Sequence, residues 1–163
     1  MLFIQELAEK TLFPRRYRFD LLAHLAECDA NYMRLCRLMQ DLNSGEFREV
    51  SVLVSSVSES IRFVISESSR YTTTITIAQR MPAGIRDLML VVRAYHDVQC
   101  AEVISFQGQR QFAEKLVYPK DKMRAPDEKA QVNRLLGELL TLCLKKGRTS
   151  RSKQDKKELP FIN

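Results

Sequence analysis

The sequence contains no tryptophan, two histidines, and only five glycines and five prolines among its 163 residues. The glycines stand singly, so a phosphate-binding loop, a dinucleotide-binding fingerprint and a nucleophile elbow are all absent. Neither histidine, His24 or His96, has a second ligand or a nucleophile at a diagnostic spacing. The enzyme classes that carry these motifs are therefore excluded, and the sequence names no reaction.

Cysteine is also scarce, with four residues that lie far apart in the chain. They form no Cys-x-x-Cys pair and have no histidine at a zinc-like spacing, which argues against a disulfide framework or a structural metal. Free cysteine packs as a small apolar residue, so we predict buried thiols and neither a metal nor a cofactor. The four are Cys28, Cys36, Cys100 and Cys143.

Long apolar runs are missing as well. A charge appears as early as Glu6, before a signal peptide could complete its apolar segment, and no run reaches the roughly 18 residues that cross a bilayer. We therefore expect a cytosolic protein without a membrane span. Its length is that of one domain.

Positive charge is concentrated at one end of the chain. Residues 145–163 contain seven basic and two acidic residues, a net +5 out of the total +6. The preceding 144 residues carry only +1. We predict one domain over residues 1–147, followed by a basic, mobile tail over residues 148–163 that has no apolar periodicity. Nucleic-acid binding through this tail is one hypothesis. Its candidate contacts are Lys145, Lys146, Arg148, Arg151 and Lys153.

Periodicity predicts a helix at each end of the domain. Over residues 20–42, apolar side chains recur every three or four positions after a candidate N-cap, Asp20. Asn31, Arg34 and Arg37 lie off this stripe, and we expect them in solvent. A second helix is predicted over residues 126–146, with Gly147 as its C-terminal stop. The first helix's predicted buried stripe is Leu21, Leu25, Cys28, Tyr32, Leu35, Met39 and Leu42.

Between the helices the apolar pattern alternates with a period of two, which is typical of strands. The alternating runs cover residues 50–54, 61–65, 72–77, 88–95 and 100–106, with a further candidate at 112–118. Their links are too short for parallel crossovers. The predicted fold is therefore α+β, with an antiparallel sheet of five to six strands in near-sequential order and two flanking helices.

Residues 93–102 form the most informative stretch. A hairpin tip at Asp97 would place Arg93 opposite Glu102 as a cross-strand ion pair, and Tyr95 opposite Cys100. His96 at this tip could serve as a general base oriented by a carboxylate. The alternative is a structural hairpin, which we favour because His96 lacks a partner at a telling spacing.

Two further polar stretches carry candidate residues. A tight turn at residues 68–69 would set Glu67 opposite Arg70. An exposed Arg70 beside Tyr71 and several threonines could bind phosphate or carboxylate through its guanidinium. A salt-bridged hairpin explains the same residues without a ligand. At the start of the second helix, capping and the helix dipole explain the acidic Asp127 and Glu128 that precede Lys129, with a catalytic role for Asp127 as the alternative.

Taken together, these blocks resemble the YqiB family, a group of small proteobacterial proteins of unknown function, over residues 17–147. The resemblance implies no activity, substrate or cofactor. It rests on several short blocks in the same order: Cys28, Asn31 and Leu35; residues 67–73; Arg93 with Tyr95, His96 and Asp97; residues 101–103; residues 118–119; and residues 127–129 with Gln131, Asn133, Cys143 and Gly147.

Our leading hypothesis is a non-enzymatic binding or accessory protein with one polar patch near Arg70, Tyr71, His96 and Asp127. The patch would contact an anionic ligand or a protein partner. The alternative is a small hydrolase that uses His96 with Glu102 or Asp127. The candidate ligand-binding residues are Arg70, Tyr71, Arg93, Tyr95, His96, Asp97 and Lys129.

Overall fold

The structure is a computed structural model that describes residues 20–54, 56–80, 87–107 and 126–153. Within these ranges, a helix is followed by five strands, a second helix and a sixth strand. The elements are α1 (Leu21–Leu38), β1 (Glu46–Val54), β2 (Val57–Ser68), β3 (Thr72–Gln79), β4 (Leu88–Tyr95), β5 (Cys100–Gln107), α2 (Pro126–Lys146) and β6 (Gly147–Lys153).

The strands form one antiparallel sheet in the order β5-β4-β3-β2-β1-β6. The first five strands are sequential neighbours, because each short link returns the chain beside the strand it has just left. Only β6 enters by a longer path, through α2. The predicted α+β fold with two flanking helices is confirmed.

One face of the sheet packs against the helices and forms the core. Every second side chain of β1 to β5 points into this layer, as the period-two pattern requires. Phe63, Leu90 and Val92 are 0 % exposed there, and Leu136 and Leu140 of α2 cover them from the helical side. The core therefore sits between the sheet and the two helices.

Helix α1 begins as predicted and buries the C-terminal part of the predicted stripe, but its first turns are exposed. The Asp20 carboxylate accepts a hydrogen bond from the Ala23 N–H at 3.1 Å, which confirms the N-cap. Leu21 and Leu25 were predicted to be buried, and they are 55 % and 48 % exposed. Asn31 was predicted to be solvated, and it is 0 % exposed. The prediction is wrong at these positions because packing against α2 and β5 decides the buried face.

Gly137 lies where α1 and α2 come close together. A Cβ at this position would meet the side chains of Glu27, Asn31 and Arg34 on α1. The Arg34 guanidinium lies 2.6 Å from the Glu27 carboxylate and 2.8 Å from the Asn31 amide oxygen, so this polar group occupies the space that a side chain would need. The glycine therefore permits the close helix contact.

Gly147 ends α2 for a different reason from the one predicted. Among the described glycines, only Gly45 has a positive φ, so Gly147 is not a left-handed C-terminal cap. A Cβ on Gly147 would meet the Cys143 carbonyl and the Val50 side chain. A residue with no side chain lets α2 turn directly into β6 beside β1.

The first part of the predicted tail is a strand. Residues Gly147–Lys153 pair antiparallel with β1, with Gly147 opposite Val52 and Thr149 opposite Val50. The segment pairs here because β1 offers an edge of backbone donors and acceptors, and α2 delivers the chain beside it. The mobility of the tail stays a prediction. Residues 154–163 and the candidate strand at 112–118 lie outside the described residues.

Candidate functional site

The β4–β5 hairpin has the predicted register, with Arg93 opposite Glu102 and Tyr95 opposite Cys100. Its loop consists of residues 96–99, and Gln99 at the end of the loop adopts a φ of 54°. Asp97 at the tip is exposed to solvent. The loop leaves His96 as the first residue after β4, on the side of the sheet that faces α1.

The β2–β3 loop is wider than predicted. Glu67 pairs with Thr74 instead of facing Arg70, and Ser68 pairs with Thr73, so the loop lies at residues 69–71, further along the chain than predicted. Ser69 closes the loop with two hydrogen bonds to Thr72, one from its N–H to the carbonyl at 2.8 Å and one from its hydroxyl at 3.1 Å. Arg70 and Tyr71 therefore form the exposed part of the loop.

His96 joins the two loops to α1. Its backbone N–H donates a hydrogen bond to the Tyr71 carbonyl oxygen at 2.8 Å. Its Nε2 lies 2.8 Å from the Thr73 hydroxyl oxygen, and its Nδ1 lies 3.1 Å from the Tyr32 hydroxyl oxygen. The Tyr32 and His96 rings also meet edge to face, with their centroids 5.9 Å apart. Both ring nitrogens are thus engaged by hydroxyl groups.

Arg70 and Tyr71 present charge and aromatic surface beside this histidine. The Arg70 guanidinium carbon lies 5.2 Å from the centroid of the Tyr71 ring, which is the geometry of a cation–π contact. Tyr71 is 56 % exposed, although its backbone carbonyl is held by His96. We call Tyr32, Arg70, Tyr71, Thr73 and His96 the loop-end site.

A second polar group lies along β5. The Lys129 Nζ on α2 is 2.5 Å from a Glu102 carboxylate oxygen, and the Tyr95 hydroxyl donates to the other oxygen at 3.2 Å. We call Tyr95, Glu102 and Lys129 the β5 cluster. The Arg93–Glu102 ion pair predicted from the register is not among the ion pairs of the described residues, because Lys129 takes the carboxylate instead.

Two thiols lie next to the β5 cluster. Burial raises the pKa of both the Cys28 and the Cys100 thiol, and each thiol also affects the other. For Cys28, burial followed by the interaction with Cys100 raises the pKa to about 12. Burial and then Lys129 lower the pKa of His24, which disfavours its imidazolium form. The raised pKa values of Cys28 and Cys100 favour their protonated thiol forms.

The structure separates the predicted site residues into two groups. Arg70, Tyr71 and His96 meet at the loop-end site, and the exposed Asp97 follows in the same loop. Tyr95, Glu102 and Lys129 form the β5 cluster. Arg93 sits in register opposite Glu102, and Asp127 lies at the start of α2, where its side chain is outside the described residues.

The hydrogen-bond partners of His96 were missed in the sequence. Tyr32 was assigned to an apolar stripe and Thr73 to the threonines beside an exposed turn, yet their hydroxyls hold the imidazole. A tyrosine on a buried helix face needs a partner for its hydroxyl, which is the one signal available in the sequence. No carboxylate hydrogen bonds to His96 among the described residues.

Other chemistry is limited in the part of the chain that the structure covers. No group of three or more His, Cys, Asp or Glu side chains there is placed to hold a metal ion. No helix in the same ranges is long and apolar enough to cross a bilayer. The site therefore offers hydroxyls, an imidazole and a stacked guanidinium.

The basic residues near the C-terminus are ordered by α2 and β6. Lys145 and Lys146 are exposed in the last turn of α2, and Arg148 is exposed on β6. Arg151 and Lys153 follow on the same strand. This strand forms the edge of the sheet opposite β5, so these cations lie away from the β5 cluster.

The fold and site define a small α+β protein with a six-stranded antiparallel sheet and a hydroxyl-bound histidine at one end. Residues 34–149 match a family described as "Protein of unknown function (DUF1249)". The match includes the loop-end residues from Arg70 to His96 and the first residues of β6.

Three relatives share this similarity, each called "Uncharacterized protein YqiB", from Escherichia coli strain K12, from strain CFT073 of serotype O6:H1, and from serotype O157:H7. Each is 36 % identical over 135 residues, which cover 82 % of this chain and 94 % of the relative. The chain belongs to the DUF1249 family, which confirms the predicted resemblance. No solved structure matches it.

Proposed function

We propose that the chain is a non-enzymatic binding or accessory protein that holds an anionic group, carried by a ligand or a protein partner, at the loop-end site. The observation that supports this most is the exposed Arg70–Tyr71 pair on a loop whose backbone is fixed by His96. A phosphate or a carboxylate is the anionic group that suits a guanidinium.

The stacking of Arg70 favours binding. A guanidinium that lies against an aromatic ring still presents its N–H groups at its rim, where an anion can accept two parallel hydrogen bonds. Because the stack and the loop hydrogen bonds restrict the side chain before an anion arrives, less conformational entropy is lost on binding. The exposed face of Tyr71 adds apolar contact area of the kind that anchors interfaces.

The contacts of His96 support binding over hydrolysis. A general base needs a free nitrogen aimed at the substrate, but both ring nitrogens of His96 are engaged by Tyr32 and Thr73. The carboxylate that the hydrolase hypothesis requires from Glu102 is instead bound by Lys129 and Tyr95. His96 thus acts as a clamp between the loops. We place this function in the cytosol, as the sequence predicts.

A titration of the full chain with inorganic phosphate and with a phosphoserine peptide, followed by amide NMR spectra, tests the proposal. We expect shifts confined to the two loops at residues 69–73 and 96–99. Arg70→Ala removes a charge-assisted contact and should weaken binding about tenfold or more. Arg148→Ala, which removes the same charge from β6, is the matched control and should bind like the wild type.

The proposal fails if neither probe shifts the two loops, or if Arg148→Ala weakens binding as much as Arg70→Ala. Tyr71→Leu separates the contribution of the aromatic ring from that of the Arg70 charge, since leucine keeps the apolar bulk but has no aromatic face. We expect an intermediate loss for this variant. Wild-type affinity in Tyr71→Leu would contradict the role given to the stacked pair.

A further inference from the structure

Strand β6 is the last strand of the sheet. One side of its backbone pairs with β1 along residues 147–153, and no strand pairs with its other side within the described ranges. Every second residue of a strand directs its N–H and C=O groups to a given side, so the outer side of β6 carries backbone donors and acceptors. Such an edge can accept a further extended segment.

The charge along this part of the chain has one sign. Residues 145–154 contain five basic residues and no acidic one. Lys145, Lys146 and Arg148 are exposed. Edge strands commonly carry cations because like charges prevent a second copy from pairing along the same edge. The same cations attract a strand of opposite charge. The edge therefore discriminates between partners by the sign of their charge.

We infer that β6 is a docking edge for an acidic, extended segment of a partner protein, which adds a seventh strand to the sheet. The backbone of β6 supplies the hydrogen bonds of the new ladder. Lys145, Lys146 and Arg148 select acidic side chains at its flank. This binding surface lies on the edge strand opposite β5 and is independent of the loop-end site.

An acidic strand fits this edge better than a nucleic acid does. Single-stranded nucleic acid is held by cations together with aromatic side chains on which bases stack. Residues 145–153 contain cations but no aromatic residue. An open strand edge, in contrast, is a feature that an extended peptide uses along its whole length and that a phosphate backbone does not require.

Hydrogen exchange of the full chain tests this inference with three probes: a short peptide of alternating glutamate and valine, the same peptide with lysine in place of glutamate, and an oligouridylate RNA. We expect the acidic peptide to slow amide exchange in β6 and to leave exchange in the central strand β4 unchanged. The lysine peptide should not bind. RNA should bind more weakly than the acidic peptide.

Charge reversal gives the second arm of the test. Arg148→Glu replaces an attraction by a repulsion at an exposed position, so binding of the acidic peptide should weaken about tenfold. Arg37→Glu makes the same change at an exposed position on α1 and should have no effect. Because both positions are exposed, both variants should fold, which circular dichroism would verify.

Several results would overturn the inference. One is that the acidic peptide does not bind, and another is that it binds without slowing exchange in β6. Equal binding of the lysine peptide would remove the charge argument. Tighter binding of RNA, lost in Arg148→Glu, would make the edge a nucleic-acid site. None of these results bears on phosphate binding at residues 69–73, so the two proposals stand or fall separately.

Discussion

Asn31 on α1 and Asn133 on α2 are both 0 % exposed, and together they connect three elements. The Asn31 amide donates to the Asn133 carbonyl at 2.9 Å, and the Val103 N–H of β5 donates to the Asn133 side-chain oxygen at 3.0 Å. The Asn133 amide donates to the Lys129 carbonyl at 2.8 Å. A buried polar side chain with these bonds satisfied fixes how the helices sit against the outer strand.

Asn133→Ala should therefore destabilise the protein strongly. The substitution leaves the buried N–H of Val103 without an acceptor, which costs about 1–3 kcal/mol of unfolding free energy, and it also leaves a cavity. Urea denaturation followed by circular dichroism measures the loss. Gln131→Ala, on a less buried position of the same helix, is the control and should change the unfolding free energy by less than about 0.5 kcal/mol. An equal effect of both substitutions would contradict the role of Asn133.

At the scale of elements, β6 completes the sheet although its sequence has no apolar alternation. It covers the outer side of β1, opposite Val50 and Val52, both of which belong to the core. Backbone pairing with a neighbour that is already in place does not require an apolar face. This explains why a basic, serine-rich segment forms a strand here.

Removal of residues 147–163 should expose the β1 edge, and removal of residues 154–163 alone should not. We expect the longer truncation to lower the melting temperature by several degrees, since a loss of even 1 kcal/mol shifts it by about 2–8 °C in domains of this size range. We also expect it to favour self-association through the uncovered strand. Thermal denaturation and light scattering compare the two truncations, and equal behaviour would mean that β6 adds no stability.

At the scale of the whole molecule, two layers shield the thiols of Cys28 and Cys143, each 2 % exposed. Burial raises the pKa of both thiols to about 12, against an ordinary value of 9.0. Between these values the unfolded chain loses thiol protons that the folded chain keeps. The folded state therefore binds more protons, and its stability is fully present below about pH 9 and falls as the pH rises toward 12.

The unfolding free energy should thus decline above pH 9, by up to about 1.4 kcal/mol per pH unit for each buried thiol. Urea denaturation at a series of alkaline pH values measures the slope. In Cys143→Ala the slope should be shallower, because one of the two thiols is gone. Cys36→Ala, at an exposed position, should keep the wild-type slope, and a shallower slope there would argue against burial as the cause.

Contacts of the candidate site could be predicted where the two residues lie close together in the sequence, and not where they lie far apart. The hairpin register at Arg93 and Glu102 follows from local alternation and was correct. The partner of Glu102 was not, because Lys129 comes from a helix that is distant in the sequence. The contacts of His96 with Tyr32 and Thr73 join segments that are far apart in the chain, and no local sequence pattern predicts such contacts.

The sequence by itself determined the α+β fold, the five sequential strands and the N-cap of the first helix, because periodicity and short links act over a few residues. Tertiary structure alone decided that the first turns of α1 are exposed, that Asn31 and Asn133 lie in the core, and that the basic segment forms an edge strand. Each of these outcomes depends on a neighbour brought close by folding. Packing and backbone pairing between distant segments therefore overruled the local pattern.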